Sequence, residues 1–122
     1  ILICISEVGR EKQYLSVSKI NVLVWMVIRK ARWNEYEGFL AGHRNNVPFI
    51  SSDTATYKAM EFAIAKNFIE LEEGRVYITE SGFSVLRVLT ENGIMEEERL
   101  FLEKFGRKLS DNKIKKITGG LL

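Results

Sequence analysis

The chain has 122 residues, 46% of them hydrophobic and only one proline, which fits a single globular domain with its own core and excludes a disordered linker. Its net charge of +2 is nearly neutral, but the charge is unevenly spread: residues 1–50 carry +3, 51–100 carry −5 and 101–122 carry +4. One cysteine, Cys4, excludes an internal disulfide framework and suits a reducing cytoplasm; with one histidine beside it there is no set of zinc ligands. The longest unbroken apolar run, 22–28, is far short of a membrane span, and 1–5 is too short for a signal-peptide core and lacks a basic leader. A cytoplasmic protein without membrane association is expected.

In chain order, residues 1–5 (ILICI) are expected as a short strand or as a segment packed on a partner. Residues 6–14 are polar and read as a loop. Ser16 or Ser18 caps the next helix, because a serine oxygen satisfies an orphan backbone N–H. That helix is expected over 19–32. Ile20, Leu23, Val24, Val27 and Ile28 give it a core face. Val22, Trp25 and Met26 make its other side apolar too, so it needs cover all round. It is either a central core helix or one that turns Trp25 and Met26 toward another subunit. The β-branched content of 22–28 also leaves a strand reading open. The aromatic and polar stretch 32–46 contains a short helix around 35–40, with Gly42, Asn45 and Asn46 as loop punctuation. Residues flanking Pro48 are extended.

Ser51 or Ser52 caps a helix over 54–67, with Asp53 at its positive end. Ala55, Ala59, Phe62 and Ala63 form its apolar stripe, and Asn67 closes it in a left-handed conformation. Phe68, Ile69 and Leu71 lie on one strand and Val76 and Ile78 on the next, joined by a tight turn at Glu73 and Gly74. Thr79 caps a helix that carries Phe83, Leu86, Val88 and Leu89 inward, and Gly93 stops it. The tail is helical again: Met95, Leu100, Leu102 and Phe105 alternate with acidic residues as far as Gly106. Ser110 then caps a last short helix with Ile114 and Ile117, broken by Gly119 and Gly120. A buried helix followed by helix, hairpin and helix is the plan of a mostly α fold with a small β-hairpin. It reads as a winged helix-turn-helix core at 16–93 in a single domain, with an N-terminal arm at 1–15 and a C-terminal helical extension at 94–122.

No group of residues supplies catalysis. His43 has no Ser, Cys or Asp placed to work with it, and Cys4 sits in an apolar setting where thiols are inert. Glu96, Glu97 and Glu98 are consecutive on a helix, so they point in different directions and cannot grip one metal. The glycines match neither phosphate-loop spacing, so no cofactor and no small-molecule substrate are expected. In a DNA-binding reading the helix at 54–67 would read the groove. Its outward candidates Thr54, Thr56, Tyr57, Lys58 and Glu61 include one cation, and Arg75 at the hairpin tip is flanked by Glu72 and Glu73. That face suits nucleic acid poorly. Two basic patches remain: Arg29, Lys30 and Arg32; and Lys104, Arg107, Lys108, Lys113, Lys115 and Lys116. They are either solvated helix ends or a surface for an acidic partner or nonspecific nucleic acid.

From Pro48 onward, the run DTATYKAMEFAIAKNFIEL at 53–71, ITESGFSVL at 78–86 and the tail EEERLFLEKFGRKLSDNKIKKI at 96–117 carry a further resemblance. The chain resembles the winged-helix middle components of bacterial three-component ABC-ATPase systems of the Lamassu defence type. The resemblance covers about the C-terminal two-thirds. It implies a non-catalytic accessory subunit that binds an SMC-like ABC ATPase and an effector, commonly a nuclease, in an anti-phage or anti-plasmid complex. The alternative is a winged-helix DNA-binding transcriptional regulator using Tyr57, Lys58 and Arg75. For the first reading the expected protein interface is Trp25, Met26, Trp33 and Tyr36 with the basic tail residues Arg107, Lys108, Lys115 and Lys116, since aromatic anchors carry much interface energy. Trp33→Ala is then expected to weaken assembly more than folding.

Overall fold

Helical spacing dominates the pattern, and in the computed structural model, which describes residues 1–43, 47–51 and 53–118, the chain is mostly helical around a three-stranded antiparallel sheet. The first segment departs from expectation. α1 (Leu2–Cys4) runs into a π-helical stretch, Ile5–Gly9, and a 3-10 turn, Arg10–Lys12. A strand would point consecutive residues to opposite sides, whereas Ile3, Cys4 and Ile5 are all buried, and a helical turn can place all three against the core. The chain then folds back closely: a Cβ on Gly9 would lie 2.8 Å from the Tyr14 carbonyl oxygen.

Residues 14–16, expected at the edge of a loop, form β1 (Tyr14–Ser16). β1 pairs with β3 (Arg75–Ile78), which also pairs with β2 (Ile69–Glu72), so the sheet order is β1-β3-β2. Leu15 lies opposite Val76, and both are buried. A two-stranded hairpin alone is marginal in water; the third strand gives this one a shared apolar face. The β2–β3 turn is as expected, with φ of 51° at Glu73 and 76° at Gly74, both left-handed as a type I′ turn requires.

α2 (Val17–Val27) is a helix and not a strand, and Ser16 caps it by accepting from the Lys19 N–H at 3.1 Å. Its apolar middle has the cover it needs: Ile20, Val22, Leu23 and Met26 are all fully buried. It stops short of Arg32, leaving Ile28 exposed, and a 3-10 turn (Lys30–Arg32) leads into α3 (Trp33–Leu40). Arg44, Asn45, Asn46 and Ser52 lie outside the described residues, as do Gly119 and Gly120.

α4 (Thr54–Ala65) is capped by Asp53, whose carboxylate accepts from the Ala55 N–H at 2.9 Å. Asn67 closes the turn with φ of 60°, as expected. Of the expected stripe only Ala63 is buried. Thr56, Met60 and Ala63 face inward, while Ala55, Ala59 and Phe62 face solvent. Both stripes have helical spacing; packing against β2 selects the one with the long, adaptable Met60 at its centre.

α5 (Glu80–Glu91) begins where Thr79 accepts from the Gly82 N–H at 3.0 Å. A Cβ on Gly82 would fall 2.1 Å from the Phe68 carbonyl oxygen, so glycine is what lets α5 cross the start of β2. Phe83 and Leu86 pack on the core, but Val88, expected inward, is 55% exposed. α6 (Glu96–Lys104) buries Phe101 and Leu102 and leaves Met95 and Leu100 outside. Gly106 opens a 3-10 turn (Gly106–Lys108) and is buried against Val8, Leu102 and Leu23. α7 (Asp111–Thr118) follows a cap in which Ser110 accepts from the Lys113 N–H at 3.2 Å, and it buries Ile114. The N-terminal segment, α2, α3, the sheet and the tail contribute to one cluster, running from Ile3 and Ile5 through Leu23 and Tyr36 to Val76, Leu102 and Leu109.

Candidate interaction surface

A helix whose inner stripe is satisfied by three residues leaves its other faces to solvent. On α4 Ala55, Ala59 and Phe62 are exposed in one line, with Lys58, Glu61 and Lys66 beside it and Ile64 on the opposite flank. Phe62 is 60% exposed and touched by the Lys66 ammonium, 5.8 Å from its ring centre. Beyond the end of α4, Leu71 on β2 is half exposed. Two alanines leading to an exposed phenylalanine make a shallow apolar strip that a facing helix or strand can approach closely. Lys58, expected as a nucleic-acid contact, is exposed on the same helix, whereas Tyr57 is half buried. Arg75, the third such residue, is exposed on β3, with its guanidinium 5.0 Å from the Tyr14 ring centre. Hydrogen bonding to Tyr77 holds the Arg75 charge even above its usual range.

The aromatic residues expected to meet a partner divide in two. Met26 and Tyr36 are buried, so their assignment to a contact surface is corrected: a side chain closed off in its own core cannot anchor another protein. Burial also pushes the Tyr36 phenol above its ordinary pKa. Its hydroxyl and the Trp25 indole N–H have no well-formed hydrogen-bond partner, and the wrapped α2–α3 core holds both. Trp33 is half buried and fully engaged. Its ring stacks on Phe101 at 4.5 Å and 19°, and its indole N–H donates to the Met26 carbonyl at 3.0 Å. Beside it, Lys30 pairs with Glu97 at 3.1 Å and Glu98 at 3.4 Å, which raises the Lys30 pKa; the Lys30–Glu97 pair is exposed and contributes little to stability. Trp33 therefore joins α3 to α6.

Trp25 is different. Arg29 lies 3.4 Å over its ring and donates to its carbonyl at 3.0 Å, and Phe49 meets it edge-on at 6.1 Å. Phe49 is 78% exposed, with Ile28 and Val47 also exposed nearby in the chain. Phe49, Phe62 and Ile28 were not among the expected contacts. Phe49 had a signal, since it follows Pro48 and precedes a buried Ile50, and an extended stretch turns alternate residues outward.

The basic tail is partly spoken for. Arg107 donates to the Glu7 carbonyl at 2.7 Å and lies 3.8 Å from its carboxylate, tying the tail to the N-terminal segment. Lys108 sits 5.6 Å from the Phe105 ring centre. Lys115 and Lys116 are exposed on α7. Among the described residues no three His, Cys, Asp or Glu side chains group as a metal ion would require. Cys4 is buried and free, and burial raises its thiol pKa. No described helix is long and apolar enough to cross a membrane. Comparison of the chain with protein-family models, with curated proteins and with solved structures gives no match in any of the three.

Proposed function

We propose that this chain is a winged-helix accessory subunit that docks on other polypeptides, an SMC-like ABC ATPase and a nuclease effector of a bacterial defence complex, and performs no catalysis itself. The element order supports the winged-helix part: a strand, helices and a hairpin, with α4 in the position of a groove-reading helix and β2–β3 as the wing. The observation that carries the reading is the solvent face of α4. Beside the exposed Thr54, Lys58 and Glu61, one flank of this helix presents Ala55, Ala59 and a 60% exposed Phe62, where a DNA reader would add further Arg, Lys, Asn or Gln. Such a strip is suited to an apolar partner face, with Lys58, Glu61 and Lys66 as its polar rim. Phe49 on Trp25 offers a second anchor of the same kind.

The test is whether an SMC-like ATPase co-purifies with this chain from its native cell. Phe62→Asp is expected to lower retention at least tenfold while leaving the thermal midpoint within a few degrees, because Phe62 contributes little to the core. Retention unchanged by Phe62→Asp and by Phe49→Asp would remove the reading.

A further inference from the structure

The fold brings Arg75 of β3 to three cationic side chains near the start of the chain. Arg10, Lys12, Lys19 and Arg75 all line one open cleft of about 580 Å³, between the N-terminal turn, β1, the start of α2 and β3. Among the described residues, Glu11 and Asp111 are the acidic ones on its wall, and Glu72 and Glu73 flank Arg75 in the hairpin. A second cleft adjoins it, sharing Arg10 and Glu11 and reaching Arg107. The two form a tract that runs past one side of the molecule without involving α4.

The backbone at the junction is held in an uncommon state. Arg10 has φ of 50° and ψ of −125°, a region that glycine enters freely and arginine does not. Gln13, three residues on, is also left-handed at φ of 59°. Strain of this kind persists where surrounding structure enforces it, and it clusters where ligands are gripped. Here it closes the turn that carries Arg10, Glu11 and Lys12 to the cleft.

The geometry points to a binding site for the sugar–phosphate backbone of a nucleic acid, gripped by Arg10, Lys12, Lys19 and Arg75. Repeated cations along an open groove match repeated phosphates, and Tyr14 in the wall provides a ring beside them. An acidic peptide would need apolar anchoring pockets as well, and among the described residues Val8 and Leu15 are the only aliphatic side chains of the main cleft, with Leu15 itself buried. The inference goes beyond the docking role proposed for α4 and stands or falls separately, since it uses none of the α4 residues.

The test is fluorescence anisotropy of the full chain with a labelled DNA duplex of mixed sequence, titrated between about 50 and 200 mM salt. Four phosphate contacts predict a log–log salt slope near −3.6, on the order of −0.9 for each. Lys12→Ala and Lys19→Ala are each expected to make the slope shallower by about 1. Arg10→Gly is expected to do the same with a thermal midpoint no lower than that of the parent, since glycine relieves the strained turn; this separates lost binding from lost folding. No salt-dependent binding overturns the inference. So does a slope untouched by the double change at Lys12 and Lys19. Displacement of the duplex by poly-glutamate at equal charge concentration would assign the cleft to an acidic polypeptide instead.

Discussion

Trp33 illustrates how much a single side chain's role depends on what lies across from it. An aromatic residue beside a basic patch reads as an interface anchor, yet both its ring and its N–H are used internally, on Phe101 and on the Met26 carbonyl. Trp33→Ala is therefore expected to cost about 3 kcal/mol of folding stability, and Trp33→Phe, which keeps the stack and loses the hydrogen bond, about 1 kcal/mol. Urea unfolding of the two variants checks this; a Trp33→Ala chain as stable as the parent would return the ring to the pool of partner contacts. Gly82 is the opposite case. Its place in a helix looks costly from propensity alone, and only the Phe68 carbonyl lying where a Cβ would be explains it.

Among the elements, the turns and most caps were legible, although α4 is capped by Asp53 and not by Ser51 or Ser52, and the helix faces were not. Ser16, Thr79, Ser110, Asn67 and the Glu73–Gly74 turn all do what their local chemistry predicts, because each acts within a few residues of itself. Thr79 does more than cap. Its hydroxyl also donates to the Asn67 carbonyl, joining the end of α4 to the start of α5 across the hairpin. Thr79→Ala is expected to cost about 2 kcal/mol, toward the upper end for an N-cap, and Thr79→Ser less than half of that. Thermal unfolding monitored by circular dichroism separates the two; equal losses would show that the hydroxyl contributes nothing. The phase of α4 was misread since two stripes of equal spacing compete, 55–59–62 and 56–60–63, and local periodicity cannot choose between them. The same ambiguity puts Val88 inside when it lies outside. It also hid the candidate surface, because Ala55, Ala59 and Phe62, exposed on α4, were assigned to the core.

For the whole molecule, the N-terminal segment and the tail are joined to the same core as the middle. Gly106 lies against Val8 and Leu23, Arg107 reaches Glu7, and Leu102, Leu109 and Ile114 are buried with Ile3 and Ile5. A chain ending after Gly93 would expose Leu23 and the α1 residues, and is expected to lose cooperative unfolding altogether, with a collapsed and poorly dispersed amide spectrum by NMR. A well-dispersed spectrum from that truncated chain would show that the tail is an accessory layer. Local sequence determined most of the helices, the hairpin with its left-handed turn, and the absence of any apolar stretch long enough for a membrane, since each depends on near neighbours and on spacing along the chain. Tertiary structure alone decided that β1 adds a third strand, that Met26 and Tyr36 are core, that Phe49 and Phe62 stand exposed, and that Arg10, Lys12, Lys19 and Arg75 share one cleft. Those outcomes depend on which distant segments meet, and contacts between residues sixty or more positions apart leave no periodic trace in either segment.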